Sequence, residues 1–167
     1  MLASVRLAAQ CRCVPVYSNV RHFMQPIEHI IGTSKVVETL GYWPTFHDAE
    51  VISFAAERAL PVKCGYSIFR MTVHVRNYTT VGEGTAQYAQ VLSASVLIHF
   101  LFTGACDFEF SGFNHQNVID AIVVTPVTTD ESANLRVAIE SIWGFGGILR
   151  CSRVEVEAVE VLSNANV

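Results

Sequence analysis

The sequence predicts an α+β fold that is mainly β: a single antiparallel sheet or a sandwich-like β domain with one short N-terminal helix. Three observations lead there. Helix-capping signals occur once, near residue 33. From Phe69 onward, apolar residues recur with a period of two. The connections between these runs are rich in turn formers and too short for crossover helices, which makes strand neighbours antiparallel.

The helix comes first. In "GTSKVVETLGYWP" either Thr33 or Ser34 can serve as N-cap, with Glu38 near capping-box spacing. Val36, Val37 and Leu40 are its apolar positions. Gly41 supplies a left-handed stop and Pro44 prevents continuation. Trp43 is then expected to fold back on the helix end or on the sheet.

The strands follow, seven or so in number. "FRMTVHVR" places Phe69, Met71, Val73 and Val75 on one face, with Arg70, Thr72, His74 and Arg76 on the other. "SVLIHFLF" is apolar on both faces, so it belongs in the middle of a sheet. "CDFEFS" alternates Cys106, Phe108 and Phe110 with Asp107, Glu109 and Ser111. "NVIDAIVV", "LRVAIESIW" and "RVEVEAVEV" complete the set. In the last, Val154 and Val156 give way to Val159 and Val161, a change of phase that calls for a bulge near Ala158. "NYTTVGEGTAQ", "SGFNHQN", "VTPVTTDESAN" and "GFGG" read as turns. The last lacks the following helix that a dinucleotide-binding loop needs.

Composition limits the function. A chain of 167 residues with 51% apolar residues suits one domain with a real core. No stretch approaches the length of a membrane-spanning helix, so no membrane partner is expected. The five cysteines form no CxxC pair; Cys106 and Cys151 read as small buried residues in strands, and a reducing cytoplasm is the simplest compartment. Net charge is −4, but residues 1–23 hold Arg6, Arg12 and Arg21 and no acid, leaving −7 for the remainder. An acidic body argues against nucleic acid as a partner and suits a basic protein. Residues 1–23 are set aside as a disordered leader or an over-long gene start, with the domain at 24–167. Met24 offers an alternative start.

Two loops carry chemistry-capable residues. "FHDAE" brings His47, Asp48 and Glu50, which suit a metal, acid–base work or a partner contact. Equally, it is a turn in which Asp48 bonds its own backbone two residues on while Trp43 and Phe46 plug the sheet end. "GFNHQN" brings Asn114 and His115, and either caps a bend or adds His115 to His47 at a metal if the two loops share one end of the sheet. His74 is expected in solvent and His99 buried with its hydrogen bonds made. Asp107 and Glu109, and Glu155 and Glu157, alternate along their strands; if those strands are neighbours, one sheet face is acidic, as a solvated face or a docking surface. No cofactor is implied.

"LGYWPTFHDAEV", "GFNHQNVI" and "WGFGGILRCSRVEV", in this order, resemble the bacterial immunity proteins named Immunity protein 50 over about residues 26–161. The resemblance implies an antitoxin in a polymorphic toxin system, cytoplasmic and without catalytic residues, whose partner is the effector domain of a cognate toxin. Trp43, Phe113 and Phe145 are then candidate aromatic anchors, and Trp43, His47, Asp48, Glu50, Asn114, His115, Glu155 and Glu157 candidate contacts. Two other readings stand beside it: a hydrolase whose metal is held by His47, Asp48 and His115, and a structural subunit of a larger assembly.

Overall fold

Nine strands and one helix are present in a computed structural model, which describes residues 27–58, 67–128 and 133–163. The leader expected at 1–23 lies outside the described residues. A short 3-10 turn at Ile27–His29 leads into β1 (Ile30–Ile31) and α1 (Thr33–Leu40). Then come β2 (Ala49–Arg58), β3 (Ser67–Val81), β4 (Ala89–Ala105), β5 (Phe108–Ser111), β6 (Val118–Pro126), β7 (Leu135–Trp143), β8 (Gly146–Cys151) and β9 (Arg153–Val161). They form one sheet in the order β1-β9-β4-β3-β2-β6-β7-β8-β5. The mainly β architecture is the expected one. Two additional strands and a parallel pair, β1 with β9, make the sheet mixed where the sequence pointed to antiparallel pairing throughout.

α1 stops as its sequence requires. Gly41 adopts a left-handed φ of 85° and its N–H donates to the carbonyl of Val37 at 2.8 Å. Its start differs: Gly32, with φ 77°, is the N-cap, and neither Thr33 nor Ser34 makes a side-chain cap. The reason is packing. A Cβ at Gly32 would stand 2.8 Å from the carbonyl oxygen of Val156, so the chain enters the helix pressed against β9. Lys35 fastens the same contact, its Nζ donating to the carbonyls of Val156 and Glu157 at 2.9 Å each. Glu157 is the unpaired residue of the predicted bulge, between Ala158 opposite His99 and Val156 opposite Phe100.

The sheet divides into two wings. β2 pairs with β6 only through Ala49 with Ile119 and Glu50 with Val118. The wing holding β6, β7, β8 and β5 folds over the inner face of the other. Rings of Phe108 and Phe110 on β5 lie 5.5 and 5.1 Å from Phe69 on β3, and Phe145 stacks 4.7 Å from Phe54 on β2. Phe69, Phe100, Phe102 and Phe145 are buried with Val73, Ile98, Leu149 and Val154 around them. At roughly 2–3 kcal/mol for each large side chain removed from water, this layer dominates the stability.

Three sequence expectations change. Cys151 is buried, but Cys106 is exposed in the link between β4 and β5, because β5 begins only at Phe108. His99 is half-buried, with Nδ1 3.1 Å from Thr72 Oγ1. His74 is partly buried instead of solvated, its Nε2 2.8 Å from the hydroxyl of buried Ser95.

Candidate functional site

The two quoted loops meet where the wings join. Val51 N–H donates to the carbonyl of Asn117 at 2.9 Å, and Asp48 N–H to that of Ile119 at 3.1 Å. These bonds bring the residues before β2 alongside the residues that start β6.

A tight turn shapes the first loop. Ala49 N–H donates to the Phe46 carbonyl at 2.9 Å, and both Phe46 (φ 68°) and Asp48 (φ 62°) are left-handed. Aspartate tolerates this conformation; phenylalanine does so at a cost of about 1–2 kcal/mol. Burial holds Phe46 there. It is 1% exposed, with its ring 5.5 Å from Trp43 and 5.9 Å from Phe100, both edge-on. With its two neighbours so fixed, His47 is thrown outward. Its Nδ1 lies 2.6 Å from Asp120 Oδ1, and its Nε2 3.6 Å from Asp48 Oδ2. The hydrogen bond to Asp120 and the nearby Asp48 charge raise the His47 pKa above its ordinary value.

Asp120 escaped the sequence reading. It is the lone acid in an apolar strand, which is a legible signal. Its position opposite His47 depends on the β6 bulge, where pairing jumps from Ile119 with Ser141 to Ala121 with Glu140.

The second loop is held by its own amides. Asn117, 3% exposed, accepts from Asn114 N–H at 2.9 Å and donates to the Asn114 carbonyl at 2.8 Å. Asn114 donates to the Gly112 carbonyl at 2.6 Å and accepts from Gln116 N–H at 2.9 Å. Asn114 is thus a strut of the loop, and His115 stands exposed on it. The loop seats against Gly144, where a Cβ would meet the Gln116 carbonyl oxygen at 2.4 Å. That seat fixes Trp143, which is paired opposite Val118 and is 61% exposed. Of the expected aromatic anchors, Phe145 is fully buried and faces no partner; Phe113 is 46% exposed but packs against Phe54 and Phe145.

Beside the first loop is a cleft of about 350 Å³ lined by Tyr42, Trp43, Thr45 and His47, with Val75, Arg76 and Asn77 of β3 across from them. Trp43 is half-buried, and Tyr42 is 47% exposed at the rim. Glu50 leans toward Arg76, 4.0 Å away.

The acidic strands are not neighbours: β5 and β9 lie near opposite ends of the sheet order. Asp107 precedes β5 and contacts Arg150 at 3.3 Å. Glu155 bonds Arg153 at 2.6 Å, and Glu157 lies 3.7 Å from Arg70. The outer face of β9 is therefore a lattice of mixed charge, not an acidic field. Among the described residues, no three or more of His, Cys, Asp and Glu stand where they could hold a metal ion. His47, Asp48 and His115 do not gather into such a group; the partners of His47 are Asp120 and Asp48. No described helix is long and apolar enough to cross a membrane.

A family model described as Immunity protein 50 matches residues 32–162, a span that contains both loops, the cleft and Trp143. No curated protein and no solved structure matches the chain.

Proposed function

We propose, because the chain belongs to the Immunity protein 50 family, that it neutralises a cognate toxin of a bacterial polymorphic system by binding its effector domain in the cytoplasm, with no catalytic step of its own. The surface we assign to the toxin is the corner where β2, β6 and β7 meet. One observation carries that choice: a strained turn and a self-bonded loop, joined by the bonds between β2 and β6, present exposed His47, Asp48, Asp120 and His115 at a junction that also carries Trp43 and Trp143. Pre-set aromatic anchors flanked by charges are what a tight protein contact uses, since little ordering is lost on binding.

Asp48, Asp120 and Glu140, opposite Ala121 on β7, are all exposed and give the corner negative character that attracts a basic partner. Glu50 belongs at its margin, beside the cleft. Asn114 acts by holding the loop. Glu155 and Glu157 already engage arginines and take only a steering part.

The experiment is to mix the purified chain with the effector domain encoded beside it and follow both binding and toxin activity. A stoichiometric complex, loss of toxin activity and an association rate that falls steeply with salt are expected. Absence of a complex together with full toxin activity would remove the proposal. Salt-independent association would remove the steering part alone.

A further inference from the structure

His47 stands in the corner assigned above to the toxin, and its two ring nitrogens have different partners. Nδ1 lies 2.6 Å from Asp120 Oδ1. A carboxylate only accepts, so Nδ1 carries a hydrogen and donates it. That fixes the tautomer: the proton gained or lost near neutral pH is the one on Nε2. Nε2 faces Asp48 Oδ2 at 3.6 Å, within reach of an ion pair but too far for a hydrogen bond. All three side chains are more than half exposed.

The turn keeps the ring in this position. Left-handed Phe46 and Asp48 bracket His47, and Phe46 is buried. Losing the Nε2 proton therefore leaves the bond to Asp120 made. It changes Nε2 from a donor facing Asp48 into an acceptor beside it. The neutral ring and the Asp48 carboxylate then offer two acceptors 3.6 Å apart, open to solvent, which suits an ammonium or a guanidinium. In the protonated chain the imidazolium itself is the counter-ion of Asp48. The other charged groups around the ring are Asp120 on β6 and, across the cleft on β3, Arg76, which leans toward Glu50. Tyr42 stands at the rim of the same cleft, and His115 is exposed on the adjoining loop.

We propose that toxin capture at this corner releases the Nε2 proton of His47 to solvent, a lysine or arginine of the effector domain taking its place between His47 and Asp48. This rests on the toxin reading given above and adds the regulation of that contact. Proton balance fixes the sign. Where the free chain holds the proton, binding must expel it, so capture is weak at low pH. It tightens as pH rises through the free chain's His47 midpoint and levels off above it. Release of one proton limits the slope to about tenfold in affinity per pH unit. The hydrogen bond to Asp120 and the Asp48 charge both lift that midpoint above the ordinary 6.5, which moves the transition toward neutral pH.

The test is the dissociation constant of the full chain for the effector domain encoded beside it, followed from about pH 5.5 to 9 at fixed ionic strength, a range that brackets histidine titration. Affinity is expected to rise by about tenfold or more across it. Proton NMR should find His47 neutral in the complex at a pH where the free chain holds it protonated. His47→Gln keeps an amide hydrogen for Asp120 but cannot titrate, so it should flatten the slope. His115→Gln should keep the slope. Thermal melts confirm folding, and the NMR readout decides if His47→Gln melts early. An equal slope in wild type and His47→Gln, or a His47 that stays protonated in the complex, overturns this proposal and leaves the toxin reading standing. So does a slope of opposite sign that His47→Gln abolishes, since an acidic group of the toxin would then meet Nε2. No complex at any pH overturns both.

Discussion

Nδ1 of His47 lies 2.6 Å from Oδ1 of Asp120, joining the turn before β2 to the bulge of β6. The pair spans the junction between the wings, where only two residues of each strand are in register. A protonated His47 makes the hydrogen bond charge-assisted and so strengthens that joint.

The first prediction concerns pH. His47 should titrate above its ordinary 6.5, and Asp120→Asn should bring it down more than Asp48→Asn, following the order of the causes. A raised histidine contributes stability that is present below the unfolded value and lost as pH rises through the folded one. His74 has the opposite sign. Burial, and next Arg76, lower its pKa against the pull of Glu50, so its contribution is present above 6.5 and lost as pH falls through the folded value. Proton NMR of the two imidazoles reads both; a His47 midpoint at or below that of His74 contradicts the geometry.

Phe46 is buried yet left-handed. Phe46→Ala removes the ring and should destabilise by ~3–5 kcal/mol in denaturant titrations. Glycine is usually worse than alanine by ~0.5–1 kcal/mol in a regular element. Here Phe46→Gly should be equal to or better than Phe46→Ala, because φ 68° suits glycine. The customary order would show that the backbone is not held in that conformation.

Burial lifts the Cys151 thiol to about 12, whereas Cys106 is exposed. Iodoacetamide followed by peptide mass mapping should find Cys106 modified in the native protein and Cys151 only after unfolding. Equal labelling under native conditions would mean that the β8–β9 end opens readily.

Trp143→Ala should leave the melting temperature nearly unchanged, since the ring is 61% exposed. It should weaken toxin binding by roughly 2 kcal/mol or more, in the manner of a contact anchor. Glu157→Lys should have the smaller effect because Glu157 already lies beside Arg70. Glu83→Lys, in the turn between β3 and β4, should not change toxin binding. The reverse ranking would move the contact to the outer face of β9.

What the sequence by itself determined is local. Alternation fixed the faces of β3, the two-sided apolar run placed β4 inside the sheet, Gly41 fixed the end of α1, and the phase change at Val159 fixed the bulge, because each depends on a residue and its near neighbours. The Asn-rich loop was legible as a bend for the same reason. What only the tertiary structure decided is which distant pieces touch. The partnership of His47 with Asp120 needs residues 73 apart brought together by antiparallel pairing of β2 and β6. The sequence left open whether the two acidic strands are neighbours; β5 and β9 lie far apart in the sheet order. Thr33 lost its capping role to Gly32 because β9 presses on the helix start. Residues 77–87 read as a turn segment, yet fifteen-residue β3 runs on to Val81 and pairs there with the start of seventeen-residue β4. Strand pairing is a long-range bond, and a one-dimensional pattern records which face a side chain takes without recording what it will meet.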